Sequence, residues 1–144
     1  MLFMCYNRSR RCFKMFFDEI RTLRTINNAP NDFTIKIFFY LAMKQPQDGI
    51  CGYKIEKSQL QYDLKLGKST FFNSLRWLKE NLVVNELKLV LESDFMVNPY
   101  IVMNNGDRDA RIKEWARRIN LYDAQIDKNK ERRRREQLKK QNQQ

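Results

Sequence analysis

Residues 58 to 81 read Ser58-Gln59-Leu60-Gln61-Tyr62-Asp63-Leu64-Lys65-Leu66-Gly67-Lys68-Ser69-Thr70-Phe71-Phe72-Asn73-Ser74-Leu75-Arg76-Trp77-Leu78-Lys79-Glu80-Asn81, and this stretch decides the fold. Ser58 to Leu64 has the length of a short helix, Lys65-Leu66 that of a tight turn, and Gly67 stands where a longer helix begins. In the longer segment Phe71, Leu75, Leu78 and Leu82 recur at i, i+4, i+7 and i+11, so they share one apolar face and leave the other face polar. The expected unit is helix, turn, helix. Asn81 is expected to close it in a left-handed conformation, and Leu82-Val83-Val84 to begin an extended segment.

Upstream, Tyr53 and Ile55 alternate with Lys54 and Glu56 as a short strand does. Gln45-Pro46-Gln47-Asp48-Gly49 breaks the helix before it, which runs from Phe33 to Lys44. Phe33, Ile37, Phe38 and Leu41 lie on one face of that helix, and Ile35, Phe39 and Ala42 widen the face into a mostly buried rod. Asn31 or Asp32 is placed to cap it, after the turn formers Asn27-Asn28-Ala29-Pro30. Residues 13 to 24 carry Phe13, Phe16, Phe17, Ile20 and Leu23 at helical spacing, with Arg21 and Arg24 toward the end where cations favour a helix, so an amphipathic helix is expected there.

Downstream, Leu87, Leu89 and Leu91 alternate with Lys88 and Val90. Glu92-Ser93-Asp94 supplies a turn, and Phe95-Met96-Val97 returns before Asn98-Pro99. A hairpin after the second helix makes a wing, and the whole order is that of a winged helix-turn-helix. After Asn104-Asn105-Gly106 the chain has no Gly or Pro, and Ile112, Trp115, Ile119, Tyr122 and Ile126 fall on a 3, 4, 3, 4 spacing. That helix is expected to dock its apolar stripe on the core, with a homodimeric coiled coil as the alternative. Beyond Lys128 the stripe is reduced to Leu138, and Arg132, Arg133, Arg134 and Arg135 with Lys139 and Lys140 form a charged end expected to be mobile. The fold class expected is mainly α with a small β-hairpin: a basic N-terminal arm and helix over residues 1 to 30, a winged helix-turn-helix over 31 to 105, and a charged C-terminal basic helix and tail over 106 to 144.

The chain of 144 residues is long enough for one domain with an arm or tail, and its hydrophobic share of 42% argues against global disorder. The net charge of +11 divides into +4 for residues 1 to 30, zero for 31 to 107 and +7 for 108 to 144. Basic ends around a neutral middle suit a polyanion, because each cation laid on a phosphate releases counterions. Nucleic acid is the leading partner. A membrane surface is the weaker rival, and a solvated charge run that only aids solubility is the bland one.

Cys5, Cys12 and Cys51 leave one thiol over in any disulfide scheme and form no metal knuckle, which suits reduced thiols in the cytoplasm. Neither a secretory signal nor an apolar stretch of membrane-spanning length is present, so no membrane partner is expected. A sequence with no histidine lacks the usual general base, the commonest metal ligand and every Ser/His or Cys/His arrangement. Gly67-Lys68-Ser69 looks like the end of a phosphate loop, but Tyr62 stands where its first glycine should be. The expectation is therefore no catalytic residues, no cofactor and no metal.

In a helix-turn-helix the second helix enters the major groove N-terminus first, so its first two turns reach the bases. On the polar face those turns carry Lys68, Ser69, Thr70, Asn73 and Arg76. Asn73 can offer a bidentate amide to adenine, Lys68 can reach guanine or phosphate, Ser69 and Thr70 suit phosphates and thymine methyls, and Arg76 suits the backbone. Arg132 to Arg135 and Arg8, Arg10 and Arg11 are candidates for sequence-independent attraction. Phe72 and Trp77 point away from the apolar stripe and call for a cover, either the N-terminal helix or the C-terminal helix, with a second copy as the alternative and base stacking as the third reading. Glu86, Glu92 and Asp94 against Lys88 alone make the wing acidic and a poor grip on phosphate.

Gly67-Lys68-Ser69-Thr70 with Leu75, Leu78 and Leu82, then Phe95-Met96-Val97-Asn98-Pro99-Tyr100 and Gly106-Asp107, resemble the RepL-type replication initiators of small bacterial plasmids, over roughly Cys12 to Asn120. The first group is generic to winged-helix proteins and the second carries the resemblance. It implies binding of double-stranded DNA at a plasmid origin and recruitment of host replication proteins, without catalysis. The acidic wing and the Arg-rich end depart from the family. A rolling-circle nickase would need a histidine pair, which this sequence lacks. A winged-helix transcriptional regulator shares the fold and is the alternative, followed by an RNA-binding or adaptor protein.

Overall fold

The computed structural model describes residues 2–3, 15–47, 49–104 and 107–142. In order they form strands β1 (Leu2–Phe3) and β2 (Met15–Phe17), helices α1 (Glu19–Asn28) and α2 (Asp32–Lys44), strand β3 (Tyr53–Ile55), helices α3 (Lys57–Leu64) and α4 (Lys68–Glu80), strands β4 (Val84–Lys88), β5 (Ser93–Val97) and β6 (Val102–Asn104), and helix α5 (Arg108–Gln141). Two antiparallel three-stranded sheets result, ordered β1-β2-β6 and β3-β5-β4. The chain is thus mostly helical, and α2, β3, α3, turn, α4 and the β4-β5 hairpin follow one another as in a winged helix-turn-helix.

Helix α2 is the centre of the core. The Asn31 side chain accepts the Thr34 N–H at 2.9 Å and starts it. Thr34, Ile37, Phe38, Leu41 and Ala42 are buried on a single face, and the four apolar ones join Phe71, Leu75 and Leu78 of α4 in one cluster. The residue before Pro46 cannot stay helical, so α2 ends at Gln45. That side chain bridges to the central strand, donating to the Phe95 carbonyl at 2.8 Å and accepting the Val97 N–H at 3.2 Å. It satisfies the edge of β5 where the three-residue β3 runs out.

Both helices of the motif stop in the same way. After α3, Leu66 donates to Gln61 and Lys65 to Tyr62, with Lys65 left-handed at φ 54°. After α4, Val83 donates to Leu78 and Leu82 to Lys79, with Leu82 left-handed at φ 54°. These are Schellman closures without glycine. The left-handed residue after α4 is therefore Leu82 and not Asn81, whose φ is −91°. Asn81 spends its amide on the Trp77 carbonyl, and Asn98 holds the Leu82 carbonyl, each at 2.9 Å.

Three further expectations are corrected. Residues 15 to 24 are not one helix: Met15 and Phe17 are buried in β2, which pairs with β6, and Asp18 accepts the Arg21 N–H at 2.8 Å to begin α1. A three-residue apolar run fits a strand as well as a helix turn, and α1 buries none of its residues, leaving Ile20 and Leu23 exposed. Phe13 lies outside the described residues. The hairpin turns at Leu89-Val90-Leu91-Glu92, where the Leu89 N–H meets the Glu92 carbonyl at 2.9 Å, so Ser93 and Asp94 belong to β5. Finally, α5 docks through Arg111, Trp115 and Arg118, while Ile112, Ile119, Tyr122 and Ile126 are only half-buried. The helix continues past Lys128 to Gln141, helped by Glu131–Arg135 and Arg132–Glu136 pairs one turn apart. No helix of the described residues is long and apolar enough to cross a membrane.

Candidate nucleic-acid interface

With Phe71, Ser74, Leu75 and Leu78 turned inward, the opposite face of α4 lies in solvent. It carries Lys68, Ser69, Phe72, Asn73 and Arg76, all exposed, whereas Thr70 is half-buried at its margin. Lys68, Phe72 and Arg76 stand one above another at four-residue spacing, and Ser69 and Asn73 run beside them. The Asn73 amide is 3.5 Å from the Ser69 hydroxyl, a contact long enough to leave its donor and acceptor available.

The N-terminus of α4 is open. Gly67 caps it with no side-chain hydrogen bond, and nothing lies within 4 Å of where a Cβ on Gly67 would stand. The first N–H groups of the helix therefore face outward with the positive end of the helix dipole, next to Lys65 and Lys68. Such an end accepts a phosphate oxygen.

Behind this face lies a charge network that fixes α4 to the wing. Glu86 of β4 receives Lys57 of α3 at 3.0 Å, Lys79 of α4 at 2.8 Å and the Ser93 hydroxyl of β5 at 2.8 Å. Burial opposes its charge, but the hydrogen bonds from Lys79, Lys57 and Ser93 outweigh burial and hold the carboxyl down at about 2. Asp94 is likewise buried, with the Arg118 guanidinium 3.0 Å from its Oδ1. Two of the three acidic groups expected to repel a phosphate backbone are thus paired inside the protein, leaving Lys88 and Glu92 exposed on the wing. Its tip is instead apolar, with Val90 98% and Leu91 85% exposed.

The remaining candidates are apart from α4 in the chain. Arg132, Arg133, Arg134 and Arg135 are exposed on α5, with Arg132 3.8 Å from Glu136 and Arg135 3.1 Å from Glu131. Arg132 lies about 21 Å along the helix axis from Arg118, the last buried residue of α5. Arg8, Arg10 and Arg11 fall outside the described residues. Trp77 is half-buried against the core cluster, whereas Phe72 keeps 37% of its surface in solvent. Sequence alone does not single out Lys57, because its place beside α4 depends on the α3–α4 crossing. Its ammonium stands 5.8 Å from the centroid of the Phe72 ring.

No protein-family model matches the chain, and no curated protein does. Two solved structures are similar in part. HlyU from Vibrio cholerae has 17% identity and a TM-score of 0.41, over 56% of this chain and 79% of its own. A transcriptional regulator homologue from Pyrococcus horikoshii has 19% identity and a TM-score of 0.40, over 74% of this chain and 95% of its own. What identifies the motif in this chain is the geometry of α3 and α4 themselves.

Proposed function

We propose that the protein binds double-stranded DNA in a sequence-dependent way, with α4 in the major groove, and acts from that site as a regulator of transcription. The observation that carries this is the exposed face of α4, which joins Lys68, Ser69, Asn73 and Arg76 to an uncapped helix N-terminus. Asn73 offers an amide to an adenine edge, Lys68 and the open N–H groups hold phosphate, and Arg76 contacts the backbone or a guanine. Thr70 touches DNA only at the margin. No step of this role is catalytic, and no cofactor or metal takes part.

Occupying a site needs no surface beyond α4, whereas initiation also needs one for host replication proteins. The resemblance of residues 95 to 107 to RepL-type initiators favours a second reading, initiation at a plasmid origin. In either role Asn73→Ala and Lys68→Ala weaken binding to a selected duplex by about 1 to 3 kcal/mol each and leave the melting temperature unchanged. Unchanged affinity in both removes α4 as the reading helix. The two roles separate on a replicon lacking its own initiator: replication that depends on Asn73 establishes initiation, and promoter repression without replication establishes regulation.

A further inference from the structure

Phe72 is the one residue on the α4 face whose chemistry does not suit water. It is 37% exposed, with Lys68 and Arg76 one turn away on either side and Ser69 and Asn73 beside it. A large apolar ring on a polar helix face usually finds a cover within the fold. Here the described residues cover it only in part and leave the rest of the ring in solvent. Its ring is steadied from behind, 5.3 Å from Phe71 at an interplanar angle of 79°, and from the side by Lys57. Phe71 is fully buried in the core, and Lys57 is held by Glu86 at 3.0 Å, so both supports are themselves fixed. The ring is therefore presented in one orientation among hydrogen-bonding residues.

Resting on the proposed placement of α4 in the major groove, we propose that Phe72 reads the 5-methyl group of a thymine. The major groove displays one apolar group per A·T pair, the thymine methyl, and an aromatic edge is among the side chains that meet it. Burying a methyl against a held ring is favourable without any polar partner, so Phe72 discriminates where its hydrogen-bonding neighbours cannot.

The test uses the full chain and a duplex selected by it from a random-sequence pool, with each thymine replaced in turn by deoxyuridine, which lacks only the methyl. At one position the substitution should weaken binding of the wild type by about fourfold, the worth of one buried methyl. Phe72→Ala should bind the thymine and uracil duplexes equally, and Phe72→Leu should keep part of the difference. If every position weakens wild type and Phe72→Ala alike, the methyl acts through DNA shape and the proposal fails while binding through α4 stands. Should Phe72→Ala instead change the sedimentation of the free protein, the ring is a contact between copies and the proposal is again overturned. A pool that yields no selected duplex removes the DNA-reading role itself.

Discussion

Helices α4 and α5 each turn a single stripe of residues inward, yet they dock by different means. In α4 the inward residues are Phe71, Ser74, Leu75 and Leu78, which meet apolar α2. In α5 they are Arg111, Trp115 and Arg118, and the two arginines meet carbonyls and carboxylates. Arg111 donates to the Pro46 carbonyl at 2.6 Å, and Arg118 reaches Asp94 at 3.0 Å and Glu114 at 2.8 Å. Apolar periodicity finds the first kind of docking and misplaces the second. The polar surface offered by the wing and the Pro46 loop draws cations inward on either side of Trp115, and the isoleucines beside them stay half-buried.

The largest effect follows from removing a buried charge without its partner. Arg118→Ala leaves Asp94 buried and uncompensated, and a loss of roughly 3 to 5 kcal/mol is expected in urea denaturation. Leu75→Ala in α4 should cost a comparable 2 to 5 kcal/mol, roughly, through a cavity. The difference lies in rescue. Adding Asp94→Asn to an Arg118→Met variant removes both charges together and should recover most of the loss, whereas no single partner change repairs the cavity. A double variant as unstable as Arg118→Ala would show that α5 docks through Trp115 alone.

Acid acts on both helices next, and a substitution tells them apart. Glu86, which anchors Lys79 of α4, titrates at about 2 in place of its ordinary 4.5. The folded state thus binds fewer protons than the unfolded chain in that window. The stabilisation is complete above the ordinary value and drains away as the pH falls toward 2. It is worth on the order of 3 kcal/mol. Glu114, held down at about 2 by its hydrogen bond to Arg117 against burial and with help from Arg118, drains in the same window. Glu86→Gln should lower stability at neutral pH and flatten the acid limb. An acid limb unchanged in Glu86→Gln would assign acid sensitivity to α5 alone.

What the sequence allowed to be read follows the same division. The spans of α2, α3 and α4 follow from apolar spacing and turn residues, and the exposure of Lys68, Ser69, Asn73 and Arg76 follows from the opposite face. Strand β2 could not be read, because Met15-Phe16-Phe17 is too short to separate a period of 2 from 3.6 and its partner β6 is far away in the chain. Composition misplaces the wing turn for a different reason. Ser93 and Asp94 have the composition of a turn, but Glu86 and Arg118 supply partners that draw them into a strand, and apolar Leu89, Val90 and Leu91 are left at the tip.

A smaller effect tests the closure of α4. Leu82 holds a left-handed conformation at φ 54° that glycine adopts without strain. Its side chain is exposed and its structural bonds are through the backbone. Leu82→Gly should therefore stabilise the protein by about 0.5 to 1 kcal/mol, read as a rise in melting temperature. A fall would mean that the Leu82 side chain covers enough of its surroundings to outweigh the backbone strain.

The smallest expected change in stability comes from the far half of α5, where the contrast with α4 is sharpest. Buried residues end at Arg118, so removing residues 129 to 144 takes away almost no packing, and stability should hold within about 0.5 kcal/mol. Binding should respond differently. Arg132 and Arg135 each have a glutamate one turn away and must exchange it for phosphate, but Arg133 and Arg134 have no ion pair among the described residues. If those two lie on DNA, the slope of log affinity against log salt should fall by about 1.8, at roughly 0.9 for each phosphate released. Sequence preference, set by α4, should stay as it was. An unchanged slope would make the arginine run a solvated face of the helix, and a changed preference would place the far half of α5 at the bases.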